Sequence, residues 1–270
     1  MNSKNMTMSI GFITYNPQEI FFVRLKILVK LGYSVYVFDN SPEVRATKIA
    51  CDKNPNIYYA TAGHNAGLGI GLSVINATCF YDENQYLLFF DQDTCFTDKT
   101  LNYIRDIVDK LPYEIINQHA LIGFNKKSST ICTQGSLQEA LLVISSGSLF
   151  ILKNLKAIGW HNTRYFVDGV DYEICLRART KGFRVATCGN TPGFDHETEQ
   201  PDEVVCILGK KLPIRRYPMS RITDAVKSYC HLIIYTASHL NFRATSLIAR
   251  SFLIYVLGQV WSRIMLKGTH

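Results

Sequence analysis

Short apolar segments alternate with segments of helical pattern through residues 1–203. Each apolar segment is four to seven residues long and ends at polar, glycine or proline residues, as buried strands do. The predicted strands are Ser9–Thr14, Tyr33–Phe38, Ile57–Ala60, Tyr86–Asp91, Ala120–Phe124, Glu139–Ser145, Leu149–Leu152 and Phe183–Thr187. The predicted helices are Ile20–Leu31, a segment ending near Thr78, Lys99–Leu111 and Asp168–Lys181. This alternation predicts an α/β domain with a mainly parallel sheet flanked by helices.

Residues 204–270 have a different pattern, which predicts a helical appendage. Two long helices are expected, Ser220–Ser238 and Thr245–Leu266. The most apolar piece, Ser251–Trp261, has about eleven residues, whereas a membrane-spanning helix needs roughly twenty. We therefore expect these helices to lie on a bilayer surface or to pack on the first domain, and the two interpretations are compatible.

Charge separates the two parts of the chain. The chain of 270 residues has 29 basic and 22 acidic residues, a formal net charge of +7. Residues 201–270 hold ten of the basic but three of the acidic residues, so the whole excess lies there. Such an excess indicates an anionic partner, either a membrane surface or a nucleic acid.

Composition narrows the class of protein. Hydrophobic residues make up 47% of the chain, which is enough for a full core and argues against disorder. The eight cysteines include no Cys-x-x-Cys pair, and no long apolar segment follows the first residues. We expect a protein of a reducing, cytosolic compartment, without a cleaved signal peptide, structural disulfides or structural zinc.

The strand at Tyr86–Phe90 leads directly into Asp91 and Asp93. Open α/β sheets bind ligands at the carboxyl ends of their strands. Two carboxylates there suit Mg²⁺ or Mn²⁺ carrying a diphosphate. Solvated acidic residues that simply end a strand explain the same pattern, and the two interpretations are left open.

Two further segments are candidate nucleotide contacts. Asp39, at the end of the second strand, is either a hydrogen-bond acceptor for a base or ribose or an ordinary turn residue. Gly63–Gly71 contains Asn65 and Gly67, but Leu72 stands where a dinucleotide fingerprint needs its third glycine. It is either a loop and helix start capped by Asn65 or a backbone that a nucleotide approaches closely.

Three carboxylates, Asp168, Asp171 and Glu173, crowd the start of a predicted helix. Capping, the helix dipole and a pairing of Glu173 with Arg177 would explain all three. A carboxylate held at a helix start is also suited to act as a general base. His196, which follows the last predicted strand of this part, would complete a metal site, contact a phosphate or remain solvated.

Taken in order, these segments resemble glycosyltransferase family 2, and most of all its bacterial rhamnosyltransferases of surface-polysaccharide assembly. The resemblance covers about residues 9–200, and its most specific part is Phe166–Gly182. The other matching segments are Thr14-Tyr15-Asn16-Pro17, Phe38-Asp39-Asn40-Ser41, Asn65-Ala66-Gly67, Phe90-Asp91-Gln92-Asp93 and Ser146-Gly147-Ser148.

The resemblance implies a GT-A fold and a role for each matched position. Asp171 would be the catalytic base, with Asp168 as the second candidate, although Val170-Asp171 replaces the Glu-Asp of many members. Asp91, Asp93 and His196 would bind Mg²⁺ or Mn²⁺. The implied contacts to the nucleotide sugar are Thr14, Tyr15, Asn16, Asp39, Asn65, Gly67, Asp91 and Gln92.

The implied function is inverting transfer of a sugar, with L-rhamnose from dTDP-rhamnose as the expected donor and UDP as the alternative nucleotide. The acceptor would be a lipid-linked glycan at the anionic inner face of the cell membrane, with the protein peripheral on that face and no nucleic acid bound. Two alternatives are a nucleotidyltransferase, which also uses paired aspartates and Mg²⁺, and a non-enzymatic membrane-binding protein with a basic tail. The oligomeric state is left open.

Overall fold

The computed structural model describes residues 8–43, 45–125, 137–196, 203–207, 210–214 and 216–265. The chain divides into two compact units, and each unit is formed by two separate segments of the sequence. Unit 1 comprises Met1–Phe166 and Val170–Glu197, whereas unit 2 comprises Val167–Gly169 and Thr198–His270. The boundary predicted after residue 203 lies a few residues beyond the second of these breaks.

Unit 1 is built on an eight-stranded sheet with the strand order β3-β2-β1-β4-β8-β6-β9-β7. Its strands are β1 (Met8–Thr14), β2 (Val35–Asp39), β3 (Ile57–Thr61), β4 (Tyr86–Asp91), β6 (His119–Phe124), β7 (Gln138–Glu139), β8 (Ser148–Ile151) and β9 (Arg184–Cys188). Two short strands, β5 (Thr94–Cys95) and β10 (Asp195–His196), pair separately. The helices are α1 (Glu19–Lys30), α2 (Arg45–Asp52), α3 (Leu68–Tyr81), α4 (Asp98–Lys110), α5 (Tyr113–Ile116), α6 (Leu152–Ile158) and α7 (Val170–Thr180).

The pairing confirms a mainly parallel sheet. Strands β1–β4 pair in parallel, as do β6 and β9. β8 runs antiparallel between β4 and β6, and β7 is antiparallel at one edge. The carboxyl ends of β2, β1 and β4 therefore meet at one edge of the sheet.

The middle of the sheet is apolar on both faces, as a parallel sheet covered by helices requires. In β4, the side chains of Leu87, Leu88, Phe89 and Phe90 are all fully buried. Apolar burial continues until the chain reaches Asp91, which is partly exposed. The hydrophobic pattern thus fixes where the first carboxylate leaves the core.

The predicted strand Glu139–Ser145 is wrong except at its first residue, which lies in β7. The backbone N–H of Val143 contacts the Cys175 sulfur, and that of Ser145 donates to Asp171 Oδ1 at 3.1 Å. Because both partners are side chains of α7, this apolar segment forms an irregular connection instead of a ladder. The sequence reading also missed α2 and α6.

Unit 2 contains a hairpin, β11 (Glu203–Ile207) with β12 (Lys210–Ile214), and two long helices, α8 (Met219–Ser238) and α9 (Phe242–Met265). The helices confirm the two that the sequence predicts, whereas the hairpin was not predicted. Tyr229 of α8 stacks on Phe252 of α9 with ring centroids 5.2 Å apart. The helix pair is thus held by contacts of its own.

The length of α9 changes one expectation. Phe242–Ile264 is long and apolar enough to cross a membrane by length and composition, and 17% of its apolar window is buried. The apolar piece Ser251–Trp261 is only the uncharged middle of this helix, between Arg250 and Arg263. Helix length alone therefore does not decide between lying on a membrane and crossing it.

Candidate active site

Two aspartates lie on either side of the carboxyl end of β1. Thr14 is in register with Asp39 of β2, and Ile13 is in register with Asp91 of β4. Parallel pairing brings these two acidic residues, 52 positions apart in sequence, to the same edge of the sheet.

Asp39 is completely buried and well supplied with donors. Its Oδ1 accepts hydrogen bonds from the Ser41 hydroxyl at 2.5 Å, the Ser41 N–H at 2.9 Å and the Thr14 hydroxyl at 3.2 Å. Its Oδ2 accepts one from the Tyr59 hydroxyl at 3.1 Å. Asp39 and Thr14 therefore order this turn, and their contact with a base or ribose stays a prediction.

The Asp91 turn is held by hydroxyl groups. The Asp91 N–H donates to Ser146 Oγ at 3.0 Å, and Ser146 Oγ lies 2.7 Å from the Thr94 hydroxyl. Ser146 and Thr94 are buried, whereas Asp91 and Asp93 are partly exposed. The turn therefore leaves both acidic residues partly accessible to solvent.

Asp171 is bound by the residue next to Ser146. Its Oδ1 accepts hydrogen bonds from the Ser145 hydroxyl at 2.5 Å and from the Ser145 N–H at 3.1 Å. Ser145 thus fixes a carboxylate oxygen of α7, while Ser146 fixes the turn after β4. This dipeptide brings the predicted base and the predicted metal ligands to one place.

The pKa of Asp91 also reflects the presence of Asp93 and Asp171 nearby. Burial, followed by the charges of Asp171 and Asp93, raises the pKa of Asp91 to about 7, although a hydrogen bond with Ser146 opposes the shift. Like charges held close together disfavour ionisation unless a cation accompanies them. A divalent cation bound beside Asp91 would therefore favour its ionised form.

The donor set fits Mg²⁺ or Mn²⁺ bound with a diphosphate, because such ions are commonly held by one or two carboxylates plus substrate phosphates. Among the described residues, no group of three or more His, Cys, Asp or Glu side chains has an arrangement that could hold a metal by itself. His196 pairs with Thr94 through its backbone, but its side chain lies outside the described part of the chain. Its assignment as a ligand stays a prediction.

The side-chain amide of Gln92 makes two hydrogen bonds to the backbone of Tyr15. Its Oε1 accepts from the Tyr15 N–H at 2.9 Å, and its Nε2 donates to the Tyr15 carbonyl at 3.1 Å. The Asn16 N–H donates to the Ser41 hydroxyl at 2.7 Å, and Arg24 of α1 donates to the Gln92 carbonyl at 2.9 Å. These contacts tie the Tyr15–Asn16 loop to both acidic turns, and a nucleotide contact for Tyr15, Asn16 or Gln92 stays a prediction.

Close packing against Phe166 accounts for the glycine at position 67 in the segment Gly63–Gly71. Gly67 has a φ of +89°, and a Cβ there would lie 2.6 Å from the Phe166 carbonyl oxygen, so only glycine fits. The Asn65 side chain accepts from the Gly67 N–H at 3.1 Å and forms a turn; α3 begins later, at Leu68, so Asn65 does not cap it as predicted. Close approach of Gly67 or Asn65 to a nucleotide stays a prediction.

The other two carboxylates of the acidic cluster are engaged in ion pairs. Asp168, which belongs to unit 2, accepts from Arg221 at 3.0 and 3.3 Å. Glu173 is buried and accepts from Arg177 Nε at 2.7 Å, the pairing expected from their spacing. Burial raises the pKa of Asp168, and the Arg221 charge opposes the shift. The assignment of Asp171 as the base, with Asp168 as the second candidate, rests on the resemblance and stays a prediction.

Sequence reasoning did not place several residues in the site. Ser145 and Thr94 were not selected, and Ser146 was noted only as part of a matching motif. Arg24 and Tyr59 also gave no signal, since a lone arginine in a helix or tyrosine in a strand is common. Their roles depend on which segments the fold brings together.

Comparisons with known proteins support the fold. No family model matches the chain, and no curated protein matches its sequence. Among solved structures, S. aureus TarS is similar with a TM-score of 0.52 and 17% identity, over 70% of this chain and 36% of that chain. S. aureus TarS 1–349 in complex with UDP-GlcNAc is similar with a TM-score of 0.50 and 17% identity, over 72% of this chain and 60% of that chain.

GalNAc-T7 with UDP, GalNAc and Mn²⁺ is similar with a TM-score of 0.51 and 10% identity, over 69% of this chain and 43% of that chain. These neighbours are GT-A glycosyltransferases, and the expected GT-A fold is thereby confirmed. The chain spans less than two thirds of the length of each of these proteins.

Proposed function

We propose that this chain is a metal-dependent, inverting glycosyltransferase that uses a nucleotide-sugar donor. One observation carries the proposal: the adjacent residues Ser145 and Ser146 hold Asp171 of α7 beside the turn of Asp91 and Asp93, at the carboxyl end of β4 in a GT-A fold. Solved neighbours of the same fold bind UDP, UDP-GlcNAc and Mn²⁺, which agrees with this chemistry.

Asp91 and Asp93 would hold Mg²⁺ or Mn²⁺, which would neutralise the charge that develops on the leaving diphosphate. Asp171 accepts the proton of the acceptor hydroxyl as that oxygen attacks the anomeric carbon. The two hydrogen bonds from Ser145 to Asp171 Oδ1 orient this carboxylate. Because attack comes from the face opposite to the leaving group, the product has inverted configuration.

The donor that we propose is dTDP-L-rhamnose, on the resemblance of Phe166–Gly182 to bacterial rhamnosyltransferases, with a UDP-sugar as the alternative. The test is incubation of the chain with a panel of both donor types and Mn²⁺ or Mg²⁺, with released products identified by chromatography. Release of a nucleoside diphosphate supports a transferase. In a parallel incubation with a nucleoside triphosphate and a sugar phosphate, release of pyrophosphate would indicate a nucleotidyltransferase. Absence of turnover in both incubations would favour the non-enzymatic alternative.

We further propose that the acceptor is a lipid-linked glycan and that unit 2 binds the anionic inner face of the cell membrane. α9 supports this with an exposed apolar stripe on one helix face, and Arg250 lies one turn before its first residue. The stripe consists of Leu253, Leu257, Val260 and Ile264, each more than half exposed. Basic residues near an anionic surface contribute about 1 kcal/mol each.

Co-sedimentation with anionic vesicles tests the membrane proposal. The variant Leu253→Ser/Leu257→Ser should bind vesicles more weakly than the wild-type chain, and Ile27→Ser on α1 serves as a matched control, because Ile27 is also about half exposed. Removal of the residues after about 204 should likewise release the protein from membranes. A truncated protein that still pellets with membranes at high salt would contradict the proposal.

A further inference from the structure

The three residues before α7, the helix that carries the proposed base, belong to unit 2. The chain leaves unit 1 after Phe166, belongs to unit 2 for Val167–Gly169, and returns at Val170. Val170 is the first residue of α7, and Asp171 is the second. Whatever fixes Val167–Gly169 therefore fixes the backbone immediately before the base.

Two residues of α8, one helical turn apart, make these contacts. Asp224 Oδ2 accepts hydrogen bonds from the backbone N–H groups of Val167 at 3.1 Å and of Asp168 at 2.9 Å. Arg221 donates to both carboxylate oxygens of Asp168, at 3.0 and 3.3 Å. Backbone and side chain of Asp168 are thus bound to the same helix, by charge-assisted hydrogen bonds.

Arg221 is itself supported by other contacts within unit 2. The Arg221 guanidinium lies 5.4 Å from the centre of the Tyr217 ring. The Tyr217 N–H donates to Gln259 Oε1 at 3.2 Å, and Arg263 of α9 donates to the Tyr217 carbonyl at 2.6 Å. Both long helices of unit 2 therefore support the contact to Asp168.

We propose that Arg221 and Asp224 are positioning residues for the transfer reaction. They fix the turn at Val167–Asp168, and so they set where α7 begins and where it presents the Asp171 carboxylate. This inference rests on the proposed function, because it takes Asp171 as the base. A misplacement of about 1 Å in a catalytic group can lower the rate on the order of a hundredfold. The unit that we propose binds the membrane thus also orders the catalytic segment.

The positioning role differs measurably from a role in stability alone. Loss of position should lower kcat for transfer and leave donor binding intact, because the proposed metal ligands Asp91 and Asp93 lie in a different segment. A purely structural contact would lower the melting temperature and the active fraction, without a selective change in kcat per folded molecule.

The experiment compares Asp224→Ala, Asp224→Asn and Lys227→Ala in the full chain. Lys227 is an exposed charged residue of the same helix and serves as the control. Hydrogen exchange reports on the peptide that contains Val167 and Asp168, and calorimetry with Mn²⁺ and UDP or dTDP reports on donor-site binding. Steady-state kinetics give kcat and the donor KM, each normalised to the folded fraction.

We expect Asp224→Ala to speed exchange at Val167 and Asp168 and to lower kcat at least tenfold, with donor KM and nucleotide affinity changed less than twofold. Asp224→Asn, which keeps an acceptor oxygen, should recover part of kcat, and Lys227→Ala should match the wild-type chain. If Asp224→Ala does not fold, the comparison is made on Asp224→Asn, for which a smaller loss of kcat is expected. Wild-type kcat together with faster exchange would overturn the positioning role, as would unchanged exchange. A wild-type chain that turns over no donor would instead contradict the proposed function.

Discussion

The turns at Asp39 and Asp91 flank the same strand, yet their surroundings differ. Asp39 is fully buried and accepts four hydrogen bonds, from Thr14, Ser41 and Tyr59. Asp91 is partly exposed, and its neighbours include the like-charged Asp93 and Asp171. The fold supplies Asp39 with donors, whereas it supplies Asp91 with more negative charge. This difference supports our proposal that a cation binds at the Asp91 turn and not at the Asp39 turn.

The largest effect should come from neutralising Asp91. We expect Asp91→Asn to lower transfer at least about a thousandfold, because the leaving diphosphate then loses part of its metal site. The fold should be retained, since the residue is partly exposed. Steady-state kinetics with the active donor measure the effect, and Asp109→Asn on the exposed face of α4 is the matched control. Equal activity of Asp91→Asn and the wild-type chain would show that the Asp91 turn is not a catalytic metal site.

The corresponding change at Asp39 should act on stability. Asp39→Asn replaces a buried carboxylate that accepts charge-assisted hydrogen bonds, so we expect the free energy of unfolding to fall by about 2 kcal/mol. Urea unfolding measures the loss. Asp52→Asn, which removes an exposed ion pair with Lys48, should cost well under 1 kcal/mol, as surface pairs usually do. Equal losses in these two variants would show that the Asp39 network contributes nothing special.

The pH dependence of stability gives an independent comparison. The pKa of Asp91 is raised from its usual 3.8 to about 7 in the folded chain. Between these values the folded state binds more protons than the unfolded state, so this group makes the metal-free protein less stable as pH rises. The stability of the wild-type chain relative to Asp91→Asn should therefore fall between about pH 4 and pH 7. A flat difference across that range would contradict a raised pKa of Asp91 in the folded chain.

Saturating Mn²⁺ with a nucleoside diphosphate should reverse this slope. The metal binds the deprotonated carboxylates, so its affinity and the stability that it adds should rise with pH. Thermal unfolding at several pH values, with and without Mn²⁺ and UDP, measures both slopes. Asp91→Asn should show little stabilisation by the metal, and stabilisation equal to that of the wild-type chain would place the metal elsewhere.

The smallest effect on activity should come from a substitution of His161. This residue should change the pH dependence of stability in the direction opposite to Asp91. This side chain is buried, and burial followed by the Arg177 charge lowers its pKa to about 3. The unfolded state binds the additional proton between about pH 3 and pH 6.5, so His161 makes the protein more stable as pH rises. We expect His161→Leu to flatten the acid side of the stability curve, with activity near neutral pH unchanged. If the loss of stability at acidic pH is the same in His161→Leu and the wild-type chain, another group causes that loss.

The sequence predicted the parts of the site that depend on a single segment. The apolar run that ends at Asp91, the acidic start of α7 and the parallel alternation of strands are all local patterns. They were enough for the fold class and for Asp91, Asp93 and Asp171 as candidates. The close pairing of Glu173 with Arg177 also followed from their spacing.

The remainder depends on contacts between distant segments. Ser145 lies in a segment whose apolar residues suggested a strand, and only the packing against α7 shows that it binds Asp171. The side-chain amide of Gln92 is bound to the backbone of Tyr15, 77 positions away in sequence, and the local pattern did not predict this contact. The hydrogen bond from the Val167 N–H to Asp224 joins residues 57 positions apart. No local sequence pattern predicts it.

The most direct test of the central claim is titration of Mn²⁺ binding by electron paramagnetic resonance in the presence of UDP or dTDP. The wild-type chain and Asp109→Asn should each bind about one Mn²⁺ per chain under these conditions, as expected for a site of two carboxylates completed by a diphosphate. Asp91→Asn should bind at least tenfold more weakly. Equal Mn²⁺ affinity in Asp91→Asn and the wild-type chain would contradict the assignment of this turn as the cation site.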